Sequence, residues 1–259
     1  MNTHLDLLQD VARSRLKFKG NVKIQALSKP EVVSPEFGPQ LALTISNDDA
    51  SEHLIKYVIG SQLADADFFH EFCHVKLNEI GFKKVEIILE QKIGLCCKSK
   101  LEQEQLNKAV IFIAETYAES LQFRYFKEES ELVREQLDCS YLFTLPLRRI
   151  VRELGYSAIA QAVGYRLAKK WCGYTDDAAL QAAFGEAFRG NIALRIYTQL
   201  YLIMSELPPI RECNEIQNMT SGDIDSIVEC VLNMFENEKL TEQDLKSAQL
   251  GNIQRIEEY

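Results

Sequence analysis

His70-Glu71-Phe72-Cys73-His74 sets two histidines four residues apart with a glutamate directly after the first. Residues four apart stack on one face of a helix, so both imidazoles can reach one ion. Glu71 is turned by roughly 100° from His70 and can meet a water on the open side of that ion. Zinc lowers the pKa of such a water towards about 7, and a neighbouring carboxylate can take its proton during attack on a carbonyl carbon. Each fixed residue of this HExxH pattern therefore has its own mechanical task, and the chemistry it suggests is hydrolysis with Glu71 as general base.

A hydrolytic zinc site needs a third protein ligand and an open fourth position. No histidine follows His74, which excludes the HExxHxxGxxH extension. The third ligand must be a carboxylate, a thiolate or the upstream His53. The best candidate is Glu115, in Glu115-Thr116-Tyr117-Ala118-Glu119, forty-one residues after His74. Glu115 and Glu119 share a helical face within the largely apolar segment Ala109 to Leu121. Two stacked carboxylates there repel and resist desolvation unless a cation or an imidazole N–H meets them. His53 reads as a surface histidine near a helix start, and Cys73 as a small buried hydrophobe.

HExxH on one helix followed by ExxxD on another is the pattern of gluzincin metallopeptidases, and Glu115 to Glu119 resembles the ExxAD variant found in soluble domains related to CAAX-processing endopeptidases. The segment after His74, with Val75 and an early end at Gly81, resembles the extended zinc-peptidase signature, from which Lys76 departs. The resemblance covers His70 to Glu119. It implies zinc held by His70, His74 and Glu115, and a role for Glu119, in place of the family's aspartate, in orienting a ligand histidine. It also implies a zincin-like region with a small antiparallel sheet whose edge strand binds an extended peptide or protein substrate. Leu41 to Ser46 is the candidate edge. Arg124, Tyr125, Tyr156 and Tyr165 are available to stabilise an oxyanion, and spacing does not separate them.

The elements that must position these residues follow from periodicity. Leu5, Leu8, Val11 and Ala12 predict a first helix, and Val22 to Leu27 and Leu41 to Ser46 predict strands. Ser46 to Ser51 reads as a helix cap, with two helices over Ser51 to Ile80 broken near Asp65 and Asp67, and Gly81 as a closing cap. A short strand over Val85 to Leu89 and a long helix from about Leu101 to Phe126 come next. Beyond Pro146 the pattern is helical throughout: Leu147 to Leu154, Ser157 to Trp171, Asp176 to Phe188, Ile192 to Glu206, Asp223 to Asn237 and, behind a Thr241/Asp244 capping box, Thr241 to Ile256. The expected architecture is α+β, mainly α, with a metallopeptidase region over 1–145 and a helical region over 146–259.

With 38 acidic against 29 basic residues the net charge is −9, which argues against a wholly nucleic-acid-binding or anionic-membrane surface. The charge is uneven. Leu145 to Arg195 holds eight basic and four acidic residues, and Ser205 to Tyr259 four and twelve. Within the basic stretch, Ile159 to Tyr165 resembles the IAxxVGY segment of AraC-type helix-turn-helix modules, which would imply a DNA-binding regulator. A catalytically inactive zincin-like interaction protein is a further alternative. No apolar stretch reaches the length of a membrane span, and seven scattered cysteines with no CxxC pair read as thiols of a reducing compartment, so the expectation is a cytoplasmic protein.

Overall fold

The computed structural model describes residues 3–31, 33–34, 38–39, 41–61, 63–130, 155–173, 185, 192–210 and 217–257. The protein is α+β and mainly α. Helix α1 (Thr3–Leu16) forms where Leu5, Leu8, Ala12 and Leu16 recur every three or four residues, and all four are buried. Strand β1 (Asn21–Leu27) follows, then a two-residue antiparallel ladder of β2 (Val33–Ser34) and β3 (Gly38–Pro39), then β4 (Ala42–Ser46) and β5 (Glu52–Val58). The main sheet has the order β1-β5-β4.

That sheet is mixed, which corrects the expected antiparallel one. β4 pairs antiparallel with β5, as a hairpin must, whereas β5 runs parallel to β1. The chain leaves β1, reverses into β4 beyond the place β5 will take, and reverses again into the middle. The predicted edge strand is in its predicted place, because β4 pairs only with β5 among the described residues.

β5 also corrects the helix expected from Ser51. The cluster before it is a hairpin turn. Asn47 Oδ1 accepts from the backbone N–H groups of Ser51 and Glu52, and Asp49 Oδ1 accepts from Ser51 N–H and its hydroxyl. His53 and Ile55 alternate into the interior, the period of a strand.

Helix α2 (Asp65–Leu77) carries HExxH. Asp67 Oδ2 accepts from Ala64 N–H at its start. Its end is a π-helical turn, Asn78–Phe82, in which Gly81 has φ +128°, a conformation that favours glycine. Gly81 thus ends the helix as expected, but the chain resumes at once as α3 (Lys83–Cys96). The strand expected over Val85 to Leu89 is part of that helix. Val85 and Leu89, four apart, are both buried, and this burial outweighs the β preference of Val85, Ile87 and Ile88.

Helix α4 (Lys100–Tyr125) is capped by Ser99, whose Oγ accepts from Glu102 N–H at 3.2 Å. It lies against α2, where Phe69 stacks on Phe126 with centroids 4.3 Å apart. The single turn α5 (Lys127–Ser130) follows. Helix α6 (Gly155–Trp171) packs on α4, so closely that a Cβ on Gly164 would lie 2.2 Å from Thr116 Oγ1. Trp171 stacks on Tyr117, with centroids 5.4 Å apart and the rings 22° from parallel.

Helices α7 (Ile192–Met204) and α8 (Ser221–Glu257) complete the described chain. Two expected helices become one here, because α8 runs unbroken through Thr241. Its real capping box is Thr220 with Asp223, each side chain accepting from the other's backbone N–H. One apolar core extends from Leu5 to Phe235. Ile159, Ala160, Val163 and Tyr165, which carry the helix-turn-helix resemblance, are buried in it or in the small adjoining cluster with Phe123. The helices expected over 147–154 and 176–188 lie, but for residue 185, outside the described residues. No helix among the described residues is long and apolar enough to cross a membrane.

Candidate metal centre

His70 and His74 project from one face of α2, and Glu115 from the middle of α4. Their tips converge. His70 Nε2 lies 2.9 Å from Glu115 Oε2 and 3.1 Å from His74 Nε2, and His74 Nε2 lies 3.3 Å from Glu115 Oε1. The imidazole rings stand nearly perpendicular, at 82°. Ligand atoms on a tetrahedral zinc ion are about 3.3 Å apart, given bonds of about 2.0–2.1 Å. The three donors therefore already have the spacing of three corners of such a site, and they are the one His/Cys/Asp/Glu group among the described residues with that convergence.

Gln122 sharpens this fit. Its Nε2 donates to the Ala66 carbonyl at 2.8 Å, which turns Oε1 towards His70 Nδ1 at 3.1 Å. A carbonyl can only accept, so the amide orientation is fixed and His70 Nδ1 must be the donor. A neutral His70 then presents the lone pair of Nε2 to a carboxylate oxygen 2.9 Å away. Two acceptors at that distance repel unless a proton, which makes the ring cationic, or a metal ion lies between them. Burial works against charge on Glu115, but the His74 and His70 imidazoles, in their charged form, outweigh it and hold the carboxyl well below the usual carboxylate range. Donor set, spacing and charge all suit a divalent cation with one open position.

No protein-family model, curated protein or solved structure matches the chain.

Glu71 is buried on α2 beside β4. The Thr44 hydroxyl donates to Glu71 Oε2 at 2.6 Å and lies 3.1 Å from the Glu71 carbonyl oxygen. The edge strand thus holds the proposed base, and Oε1 remains for a further proton. Glu119 lies buried one turn beyond Glu115, while the bond that orients His70 comes from Gln122. Sequence reasoning missed both Thr44 and Gln122. Gln122 carried a signal, since it follows Glu115 by seven residues and so shares its helical face. Thr44 carried none, because its partner depends on how β4 lies over α2.

Among the other sequence candidates, His53, Arg124 and Tyr156 are held elsewhere. His53 is a buried strand residue, 3% exposed, not the expected surface histidine. Its Nδ1 meets Ser46 Oγ at 2.7 Å, and its Nε2 lies 3.7 Å from Glu79 Oε1. Arg124 donates to the Ile210 and Trp171 carbonyls, the Tyr156 hydroxyl to the Met234 carbonyl, and the Tyr165 ring meets Phe123 edge-on. Tyr125 presents its carbonyl to Arg15.

Glu79 ties the end of α2 to the start of β1. It accepts from the backbone N–H groups of Lys19 and Gly20 and lies 4.0 Å from Lys76 Nζ. Burial opposes its charge, but His53, these two N–H groups and Lys76 together lower its pKa. A carboxyl with a lowered folded pKa contributes stability that is complete above its ordinary value of about 4.5 and is lost as pH falls through the folded value. Glu79→Gln should therefore cost about 1–3 kcal/mol near neutrality, the value of charged hydrogen bonds to backbone, and progressively less in acid. Urea melts across this pH range check the sign. A cost that grows in acid would contradict it.

Proposed function

We propose that this protein is a zinc-dependent metallopeptidase in which His70, His74 and Glu115 hold the ion and Glu71 is the general base. The observation that carries the reading is the convergence of Nε2, Nε2 and a carboxylate within 4.8 Å of one another, from two helices, with Glu115 forty-one residues beyond His74 in sequence. A bound zinc would polarise the scissile carbonyl and make a water nucleophilic near neutral pH.

The chain's own residues supply the rest. Thr44 occupies Glu71 Oε2, so Oε1 takes the proton of the attacking water. As the new C–O bond forms and the C–N bond breaks, Glu71 returns that proton to the departing amine. An extended peptide adding to the edge of β4 that is unpaired among the described residues would run beside Thr44 and place its carbonyl near the base. The substrate class is thus a peptide or an extended protein segment. The seven scattered cysteines with no CxxC pair support the cytoplasm as its site of action.

The test is metal content together with one variant. Protein purified without added metal should carry close to one zinc per chain. Glu71→Gln should retain that zinc and lose hydrolysis of fluorescently labelled casein by at least about a hundredfold, at the low end of general-base contributions. Absence of zinc, with identical melting in the presence and absence of chelator, would remove the reading.

A further inference from the structure

We infer that Gln122 is the positioning residue of the metal centre: by accepting the Nδ1 proton of His70 it fixes which ring nitrogen faces the ion and so sets metal affinity. This rests on the zinc reading above.

The resemblance assigns the orienting role to position 119, one turn beyond the glutamate ligand. For His70 the structure assigns it to Gln122, at the next turn of the same face of α4. An amide here does something a carboxylate cannot. It donates to the Ala66 carbonyl at 2.8 Å and accepts from His70 Nδ1 at 3.1 Å, so the two ends of the group have opposite demands and the side chain has one orientation. A carboxylate at 122 would set an oxygen against the Ala66 oxygen.

Ala66 and His70 are four residues apart on α2, so a single side chain spans one turn of the ligand-bearing helix, holding its backbone at one end and its imidazole at the other. Gln122 is 1% exposed, so water cannot readily replace either contact. Glu115 and Gln122 both lie on α4, and the element that supplies the third ligand also orients the first. Partners that hold a ligand histidine in this way typically matter 10–100-fold in metal affinity.

The full-length chain tests this directly. Gln122→Met keeps the length and the apolar stem while removing donor and acceptor. Its zinc affinity, measured by competition with a chromophoric chelator, should fall by about 10–100-fold. In zinc-loaded wild type, nitrogen-15 NMR of histidine should show His70 metallated at Nε2, with a slowly exchanging Nδ1–H. That proton should exchange rapidly in Gln122→Met.

An unchanged zinc affinity in folded Gln122→Met would overturn the inference and leave the metal site intact. Zinc bound through His70 Nδ1 in wild type would overturn it too, and that measurement decides the matter even where the variant fails to fold. A wild-type chain that takes up no zinc would instead remove the zinc reading and this inference with it.

Discussion

Glu115→Gln is expected to weaken zinc binding by more than about a hundredfold, since loss of a ligand must exceed the 10–100-fold typical of losing a residue that merely orients one. The variant keeps the shape of the side chain but replaces the one anionic donor with an amide. Two imidazoles alone leave zinc half coordinated. The metal-free fold should change little by comparison. Glu115 touches His70 at 2.9 Å and His74 at 3.3 Å, yet its side chain is one-third exposed, so solvent screens these contacts. A cost of about 0.5–1.5 kcal/mol is expected. Chelator competition reads the first quantity and urea unfolding in excess chelator the second. Zinc affinity within threefold of wild type would remove Glu115 from the ligand set.

Gly164→Ala should destabilise the protein although alanine is the better helix former. The substitution gains about 0.5–1 kcal/mol of helix propensity. Against this, the new methyl group would lie 2.2 Å from Thr116 Oγ1 and 3.7 Å from Met204 Cε. The hydroxyl cannot move aside freely, because it donates to the Phe112 carbonyl at 2.8 Å and is buried. Overpacking of this kind costs about 1–3 kcal/mol, so the clash should win. Thr116 adjoins Glu115, and forcing α6 from α4 should also weaken zinc binding. The double variant Gly164→Ala, Thr116→Ala removes the obstructing oxygen, leaving a methyl contact at 3.4 Å. It should recover most of the lost stability, a coupling that a double-mutant cycle measures. Equal stability of Gly164→Ala and wild type would show that the helices can part without cost.

The helix pair at the centre was legible in sequence because both of its signals are local. His70 and His74 need only the helical repeat to face one point, and the charges at Glu115 and Glu119 are conspicuous within an apolar run. The sheet was harder. Asn47, Asp49 and Ser51 form a hairpin turn with the side-chain oxygens that would cap a helix, and one set of residue types serves both purposes. Leu54, Ile55, Val58 and Ile59 then match a helical period by spacing, although β5 is the central strand. Its true pattern, His53 and Ile55 inward, was hidden because histidine does not register as an apolar position. The parallel pairing of β5 with β1 and the contact of Thr44 with Glu71 depend on how distant segments dock, which no local pattern encodes. The long helix α8 failed for the opposite reason. Glu238, Lys239 and Leu240 are good helix formers, and a Thr-Asp spacing alone does not interrupt them.

Trp171 is the only tryptophan in the chain, and it stacks on Tyr117, two residues beyond Glu115. The protein therefore carries its own optical probe at the back of the helix that bears the proposed carboxylate ligand. A displacement of α4 on zinc uptake, or on its removal, would alter the overlap of the two rings and with it the indole emission. Occupancy of the centre could then be followed in the unlabelled protein.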